Sequence, residues 1–277
     1  MGTINYNTNE QVYNVREDDT LSSRVALVVC VLVQRGVLMA GFSITKELLT
    51  IHYKGYNKNK PVWELDFFEH VFGNEPMLLI KEKIKGVFIC SDKNLIVPNE
   101  LYMEEEAKNW LKHIHFIAAN DIITSYFLSD EKAYYLHAAP LNITELIKIN
   151  FKHAETLPLA IYQFRNPHKI AMHLQCCMSH EQVCLTLHDN GQLLWHKIFG
   201  YTSAEDIAYA INLYCKENNI DPAHLNVMCN ALSTAEFDRI NELSQYFPGI
   251  KAGNGRAFTN SWDAAISLAN QLLACVS

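Results

Sequence analysis

Apolar and polar residues alternate in short runs along this chain, and the runs recur in two similar orders. The clearer copy lies between Ile170 and Tyr246, with three alternating segments, a helix, a short apolar segment and a second helix. Alternation at every second residue predicts strands, whereas apolar residues three and four apart predict helices. A looser copy runs from Val25 to His113. The pattern therefore predicts an α/β fold built from two βββαβα units.

Turn and helix-start signals are strongest in the second half. Asp189-Asn190-Gly191 predicts a hairpin, because Asn and Gly tolerate the positive φ angles of tight turns. Thr202-Ser203-Ala204-Glu205 and Ser233-Thr234-Ala235-Glu236 each predict a capping box that opens a helix. In the first half, Glu104–His113 is expected to be the helix that closes the βββαβα unit.

The chain divides into three predicted segments. Residues 1–22 are polar and rich in Asn, which predicts a flexible N-terminal arm. Residues 23–165 are expected to form the first lobe and residues 166–277 the second. A chain of 277 residues is long enough for two such lobes.

Composition excludes several classes of function. The chain has 23 Lys and Arg residues against 30 Asp and Glu residues, and it has no basic run, so we do not expect nucleic acid as a ligand. The N-terminus has no apolar secretory segment, and the longest apolar stretch, Val25–Val33, is too short to span a bilayer. The eight cysteines form no CxxC pair. We expect a cytoplasmic protein with reduced thiols and no membrane insertion.

Several stretches carry a family resemblance. Residues Gly191–Tyr209, the strand end Leu95–Pro98, the strand Tyr134–His137 and the segment His153–Leu159 resemble an uncharacterised bacterial family of unknown function. That family has an actin-like ATPase (ASKHA) fold and is distantly similar to cell-division and pilus-assembly actin homologues. The resemblance implies a two-lobed actin-like (ribonuclease H-like) fold, and it implies no known activity.

The resemblance also directs attention to three nucleotide-binding elements. In nucleotide-binding members of the superfamily, a carboxylate and glycines lie at the first hairpin turn of each lobe, where they hold magnesium and phosphates. The first turn here, Gln34-Arg35-Gly36, has one glycine and no carboxylate. The second turn is expected at Gln175–His180, around Cys176 and Cys177, and it has neither a glycine nor a carboxylate. Glycines that bind adenosine are expected after the fourth strand of the second lobe, but residues 229–233, around Asn230, contain no glycine. We therefore expect no cofactor.

Two other clusters have alternative interpretations. His173 and Cys177 would share one face of a strand, with Cys184 or His188 on the neighbouring strand, and such ligands suit Zn²⁺. The spacing matches no standard metal site, so core packing is the expectation and metal binding the alternative. Residues Gly253–Arg256 combine two glycines with an arginine, which suits an ordinary turn or an anion site.

The sequence thus leads to three functional hypotheses. The first is an actin-like protein that has lost nucleotide hydrolysis and binds a protein partner or a second copy of itself. The alternative is a nucleotide-binding ATPase or switch with non-standard phosphate-binding residues near Arg35 and Cys177. The third is a thiol and imidazole metal protein centred on residues 173–184.

Overall fold

The structure is a computed structural model. It describes residues 9–15, 21–57, 59–165 and 170–276. The chain forms two compact units. Unit 1 comprises Met1–Leu159 and Leu272–Ser277, and unit 2 comprises Ala160–Gln271.

Unit 1 contains two sheets. In chain order, its strands are β1 (Asn9–Asn14), β2 (Leu27–Val33), β3 (Gly36–Phe42), β4 (Leu48–Gly55), β5 (Ile84–Ile89), β6 (Asn94–Pro98), β7 (Asp121–Leu128), β8 (Ala133–Pro140) and β9 (Glu155–Pro158). Its helices are α1 (Leu21–Arg24), α2 (Leu65–Asn74), α3 (Pro76–Leu79), α4 (Ala107–Lys112) and α5 (Leu141–Asn150). The strand order is β1-β4-β3-β2-β5-β9 in the main sheet and β6-β8-β7 in the smaller one.

The main sheet of unit 1 has β2 near its centre, between β3 and β5. Residues Val28–Leu32 are completely buried, because their side chains are covered on both faces of the sheet. Helix α5 packs against α2, and the rings of Phe72 and Phe151 lie with their centroids 4.7 Å apart. The helix that closes the first βββαβα unit is therefore α5, and the sequence-based assignment of residues 104–113 to that role was wrong.

Helix α4 instead packs on the smaller sheet. Leu111 of α4 is fully buried in one apolar cluster with Leu136 and Ala138 of β8. The inserted elements are β6, α4, β7 and β8, which lie between β5 and α5 in the chain. The first unit is thus a βββαβα arrangement with an inserted subdomain.

The N-terminal segment differs in part from the predicted flexible arm. Residues 9–14 form β1, which pairs antiparallel with β4 from Asn9 opposite Gly55 to Asn14 opposite Thr50. The Thr50 hydroxyl donates to the carbonyl oxygen of Tyr13 at 3.0 Å. Residues 1–8 and 16–20 of the predicted arm lie outside the described residues.

Unit 2 contains one five-stranded sheet in the order β12-β11-β10-β13-β14. Its strands are β10 (His173–Met178), β11 (Gln182–Asp189), β12 (Gln192–Gly200), β13 (Asn226–Ala231) and β14 (Lys251–Ala252). Its helices are α6 (Ile161–Arg165), α7 (Ala204–Glu217), α8 (Ala235–Leu243) and α9 (Asp263–Cys275), the last of which ends in unit 1.

The two units share one strand plan. In unit 1, β2, β3 and β4 form an antiparallel meander and β5 is parallel to β2. In unit 2, β10, β11 and β12 form the same meander and β13 is parallel to β10. The prediction of an α/β fold with a duplicated unit is confirmed. Within the described ranges, no helix combines the length and the hydropathy that crossing a bilayer requires.

Local signals explain much of unit 2. The turn between β11 and β12 has φ angles of +51° at Asn190 and +86° at Gly191, as an Asn-Gly hairpin turn requires. Helix α7 begins one residue later than predicted, with Ser203 as N-cap and Asp206 as its capping-box partner. One face of the sheet packs its apolar side chains, such as Leu174 and Leu185, against α7 and α8.

Candidate functional site: the hairpin turns and the polar face of unit 2

The first candidate turn lies between β2 and β3 in unit 1. Val33 pairs with Gly36, so only Gln34 and Arg35 form the turn. The carbonyl oxygen of Gln34 accepts hydrogen bonds from the Tyr56 hydroxyl and from the backbone N–H of Trp63, both at 2.8 Å. The chain after β4 thus packs directly on the turn.

The other groups of this turn also have partners within unit 1. The Arg35 Nε donates to the carbonyl oxygen of Lys60 at 3.2 Å, and the Arg35 carbonyl accepts from the N–H of Tyr56 at 3.0 Å. A Cβ atom at Gly36 would lie 2.7 Å from the Tyr53 hydroxyl oxygen. Gly36, the first residue of β3, thus leaves room for the close approach of Tyr53.

A buried carboxylate, Glu75, lies in unit 1 and was missed by sequence reasoning. Its side chain is 3 % exposed and contacts the Nδ1 of His52 at 3.1 Å and the Nζ of Lys54 at 2.6 Å. Burial raises the pKa of Glu75, but the bonds from His52 and Lys54 outweigh it and leave the pKa below its ordinary value. The alternation of His52 and Lys54 on β4 placed both side chains on one face, but no local pattern identified Glu75 as their partner.

The second candidate turn begins four residues beyond its predicted start. Cys176 and Cys177 are inside β10, which ends at Met178, and β11 begins at Gln182, so the turn comprises residues 179–181. The strand ends there because the Ser179 N–H and hydroxyl both donate to the carbonyl oxygen of Gln182, at 2.8 and 3.0 Å. The assignment of this turn to Gln175–His180 was therefore wrong.

The corrected turn contains a carboxylate, Glu181, which the predicted bounds had left out. The turn is also held from the chain after β12. The Tyr201 hydroxyl donates to the Ser179 carbonyl at 2.8 Å, and the Tyr201 N–H donates to the Glu181 carbonyl at 3.2 Å. The turn is thus fixed to unit 2 through its backbone, and Glu181 supplies a carboxylate that a phosphate-bound cation could use.

Asn230, at the third candidate element, is buried with 2 % of its surface exposed. Its Nδ2 donates to the Tyr162 hydroxyl at 3.1 Å and to the Oε1 of Gln271 at 2.9 Å. Gln271 in turn donates to the carbonyl oxygen of Gly253 at 2.7 Å. A Cβ atom at Gly253 would lie 2.2 Å from the Asn230 Oδ1. Asn230 therefore joins β13, α6, α9 and the turn at Gly253–Arg256.

The Asn230 contacts continue into a polar layer on this face of the sheet. Gln163 is fully buried, and its Oε1 accepts hydrogen bonds from the Thr186 hydroxyl and, at 3.1 Å, from the Cys184 thiol. Its Nε2 donates to the Tyr162 hydroxyl at 3.2 Å. Buried polar groups are stabilising only when they are bonded in this way. The layer explains why polar residues occur in strands that are otherwise apolar.

The four candidate metal ligands lie on this same face. His173 pairs with His188 and Cys177 with Cys184, as the predicted ladder requires. The imidazole rings of His173 and His188 stack with centroids 5.1 Å apart, and burial raises the pKa of Cys177 to about 12. Of the side chains that the structure describes, no three from His, Cys, Asp and Glu form a group that could hold a metal ion.

A second buried carboxylate, Glu236, opens α8. The sequence predicted it as the last residue of a capping box, and its Oε2 accepts from the N–H of Ser233 at 2.9 Å and from the Ser233 hydroxyl at 2.7 Å. The side chain is 1 % exposed, and burial raises its pKa to about 7. Sequence reasoning gave its hydrogen bonds but not its burial.

Comparison with solved structures defines the class of fold. A crystal structure from Bacteroides thetaiotaomicron, of a protein with an actin-like ATPase fold and unknown function, is 14% identical over 91% of this chain and 99% of that chain, with a TM-score of 0.68. The PilM–PilN type IV pilus biogenesis complex contains a chain that is 10% identical, over 92% of this chain and 99% of that one, with a TM-score of 0.58. The protein therefore has an actin-like ATPase fold.

The family follows from the sequence. The family described as "Protein of unknown function (DUF3822)" matches residues 41–250, and this chain belongs to it. No curated protein sequence matches the chain. The predicted resemblance to a family of unknown function with an actin-like fold is confirmed.

Proposed function

We propose that this protein is an actin-like protein without ATP hydrolysis that acts as a protein-binding scaffold. The observation that carries the proposal is the packing of the chain after β4 onto the turn between β2 and β3. Tyr56 and Trp63 both bond to Gln34, and Arg35 bonds to Lys60. A phosphate held by this turn would have to take the Arg35 Nε from the Lys60 carbonyl and fit beside the chain that packs on the turn, and the turn has no carboxylate to place a magnesium ion.

The groups of unit 2 support the same proposal. The Asn230 amide is bonded to Tyr162 and Gln271, and Gly253 is required for the close approach of that amide. Asn230, at the element where the family resemblance implies adenosine-binding glycines, thus has structural partners instead. Glu181 is the residue on which the competing hypothesis, an ATPase or switch with non-standard residues, would depend.

A protein-binding role is in keeping with the use of this fold elsewhere. The chain with a TM-score of 0.58 is solved within a complex of two proteins, PilM and PilN. The fold of the present chain is therefore one that serves in a protein assembly. Its own partner is a separate question, taken up below.

The test is a calorimetric titration with Mg·ATP and Mg·ADP, together with thermal unfolding and a phosphate-release assay. Wild type and Glu181→Gln are compared, with Glu100→Gln as a control at an exposed carboxylate of unit 1. We expect no heat of binding, no stabilisation and no phosphate release in any of the three.

A bound nucleotide at about 100 times its Kd would stabilise the protein by about 2.7 kcal/mol. Stabilisation of wild type and of the control, with loss in Glu181→Gln, would refute the proposal and establish a nucleotide site at the second turn. Stabilisation that survives in all three would refute it as well and place the nucleotide elsewhere.

A further inference from the structure

An open groove of about 480 Å³ lies in unit 2 between β12 and α7. Its floor is aromatic. The rings of Trp195 on β12 and Tyr214 on α7 stack with centroids 4.6 Å apart and planes 12° from parallel. Phe199 lies further along the same face of β12, and the Nζ of Lys197 stands 5.4 Å from its ring centroid.

The wall that α7 contributes is apolar and exposed. Tyr209 is 69 % exposed and Leu213, one helical turn later, is 41 % exposed. Both side chains line the groove. Exposed apolar side chains that line a concave surface, unlike isolated ones, mark a site at which another molecule is buried.

The other wall is the edge of a sheet. Strand β12 is the last strand on its side of the five-stranded sheet, and no described strand pairs with its outer edge. Leu187 pairs with Trp195 and His188 with Leu193, so Leu194 is the extra residue of a bulge. The Leu194 carbonyl accepts from the Tyr214 hydroxyl at 3.0 Å. The regular edge therefore runs from Trp195 to Gly200.

This combination identifies the shape of the occupant. A regular strand edge presents backbone donors and acceptors at the spacing of another strand, and the adjoining groove receives the alternate side chains that such a strand places on one face. A helix would leave the backbone groups of the edge without partners. An extended chain is the one occupant that uses both walls.

The charge at the strand edge favours one kind of partner. Two carboxylates also line the groove, but Asp206 is bonded to Thr202 and Ser203 at the start of α7 and Glu217 is the last residue of that helix. Lys197 is the only charged residue of the strand, it is exposed, and it lies near the middle of the regular edge. In symmetric pairing with a second copy, two such lysines would lie close together, which is unfavourable and is a common protection against self-pairing. A peptide with an acidic residue opposite Lys197 would instead gain a favourable charge pair.

We infer that β12 and α7 form a docking groove for an extended peptide of a partner protein, with apolar residues at alternate positions and an acidic residue opposite Lys197. The inference rests on the proposed protein-binding function and names the site and the partner's chemistry. The peptide adds as a strand to the Trp195–Gly200 edge, and its apolar side chains cover Tyr209 and Leu213.

The test selects peptides from a displayed random library, with inserts of roughly eight residues, a usual strand length. Selection is performed without nucleotide on wild type, on Lys197→Glu and on Lys251→Glu. The last is the matched control, because Lys251 is an exposed lysine of β14, at the opposite edge of the same sheet. We expect wild type and the control to enrich peptides with alternating apolar residues and one acidic residue, and Lys197→Glu to enrich peptides with a basic residue there.

Synthetic copies of the enriched peptides then give affinities and location. We expect Lys197→Glu to weaken the acidic peptides about three- to tenfold, and Tyr209→Ala with Leu213→Ala to weaken them about tenfold or more. Hydrogen exchange should slow at the amides of residues 195–200 when peptide binds. Circular dichroism of each variant verifies folding.

Three results would overturn the inference. The first is that Lys197→Glu enriches the same peptides as wild type, and the second is that a bound peptide slows hydrogen exchange only at amides outside β12. The third is a wild-type dimer in sedimentation that Lys197→Glu abolishes, because a second copy would then be the occupant. None of them bears on nucleotide binding, and a positive nucleotide titration would not alter the peptide selection. The failure of one proposal is thus distinguishable from the failure of the other.

Discussion

Replacing Gly253 by alanine should be one of the most destabilising small substitutions in unit 2. The added Cβ would lie 2.2 Å from the Oδ1, 2.5 Å from the Nδ2 and 2.6 Å from the Cγ of Asn230. Asn230 cannot withdraw without breaking its hydrogen bonds to Tyr162 and Gln271. Overpacking costs about 2 kcal/mol and each lost hydrogen bond about 1 kcal/mol, so we expect a loss of about 4 kcal/mol.

The reasoning is tested by a double-mutant cycle with Asn230→Ala, measured by urea unfolding. Asn230→Ala alone loses the two hydrogen bonds and leaves their partners buried, at a cost of about 2 kcal/mol. With the amide gone, the methyl group of Gly253→Ala has room and should cost less than about 1 kcal/mol. The two substitutions together should therefore be less destabilising than Gly253→Ala alone.

Gly73→Ala is the control, because a Cβ at Gly73 meets nothing within 4 Å and the residue is exposed in α2. It should stabilise the protein by about 0.5–1 kcal/mol. Additive effects of Gly253→Ala and Asn230→Ala, within about 0.5 kcal/mol, would refute the packing of the Asn230 amide on Gly253. Such a result would also refute the structural role assigned to Asn230.

Three further substitutions test buried polar groups, each by urea unfolding. Because burial raises the pKa of Glu236 to about 7 from 4.5, its stabilising protonated form is lost as the pH rises through the folded-state value. Wild type should therefore lose about 2.5 kcal/mol relative to Glu236→Gln between pH 5 and pH 8, and parallel pH profiles would contradict this. Glu75→Gln should cost about 2 kcal/mol at pH 7, because it removes the buried carboxylate that Lys54 contacts at 2.6 Å and leaves only Glu10, at 3.3 Å. Since the pKa of Glu75 is lowered, that difference should shrink as the pH falls below 4.5, and a difference that grows would contradict the ion pair. Tyr56→Phe should cost about 1–2 kcal/mol, because its hydroxyl bonds to Gln34 and accepts from the N–H of Glu64; an unchanged stability would argue against the closed turn.

The meanders, the hairpin turn at Asn190-Gly191 and the starts of α7 and α8 could be predicted because their signals are local. A strand is visible in the sequence as alternation of apolar and polar residues, and a helix start as a capping residue such as Ser or Thr. The role of α4 could not be predicted, because residues 104–113 have the same helical pattern whichever sheet they cover. Only the packing of Leu111 on Leu136 assigns that helix to the inserted subdomain.

The candidate sites were predictable to a smaller extent. The face shared by His173 and Cys177 followed from strand alternation, and the structure places their partners as the ladder requires. The second turn was misplaced because a hydroxyl at Ser179 ends the strand, and apolar alternation does not register such a bond. The groove was missed because Trp195 and Tyr214 meet only when α7 runs back along β12.

The discontinuity of unit 1 has a consequence for its synthesis. Residues 272–277 belong to this unit, although residues 160–271 form the other, and a Cβ atom at Gly86 of β5 would lie 2.9 Å from the Cγ1 of Val276. The packing of Val276 against β5 therefore cannot form until all of unit 2 has been synthesised. The two segments of unit 1 that meet there are made before and after every residue of unit 2.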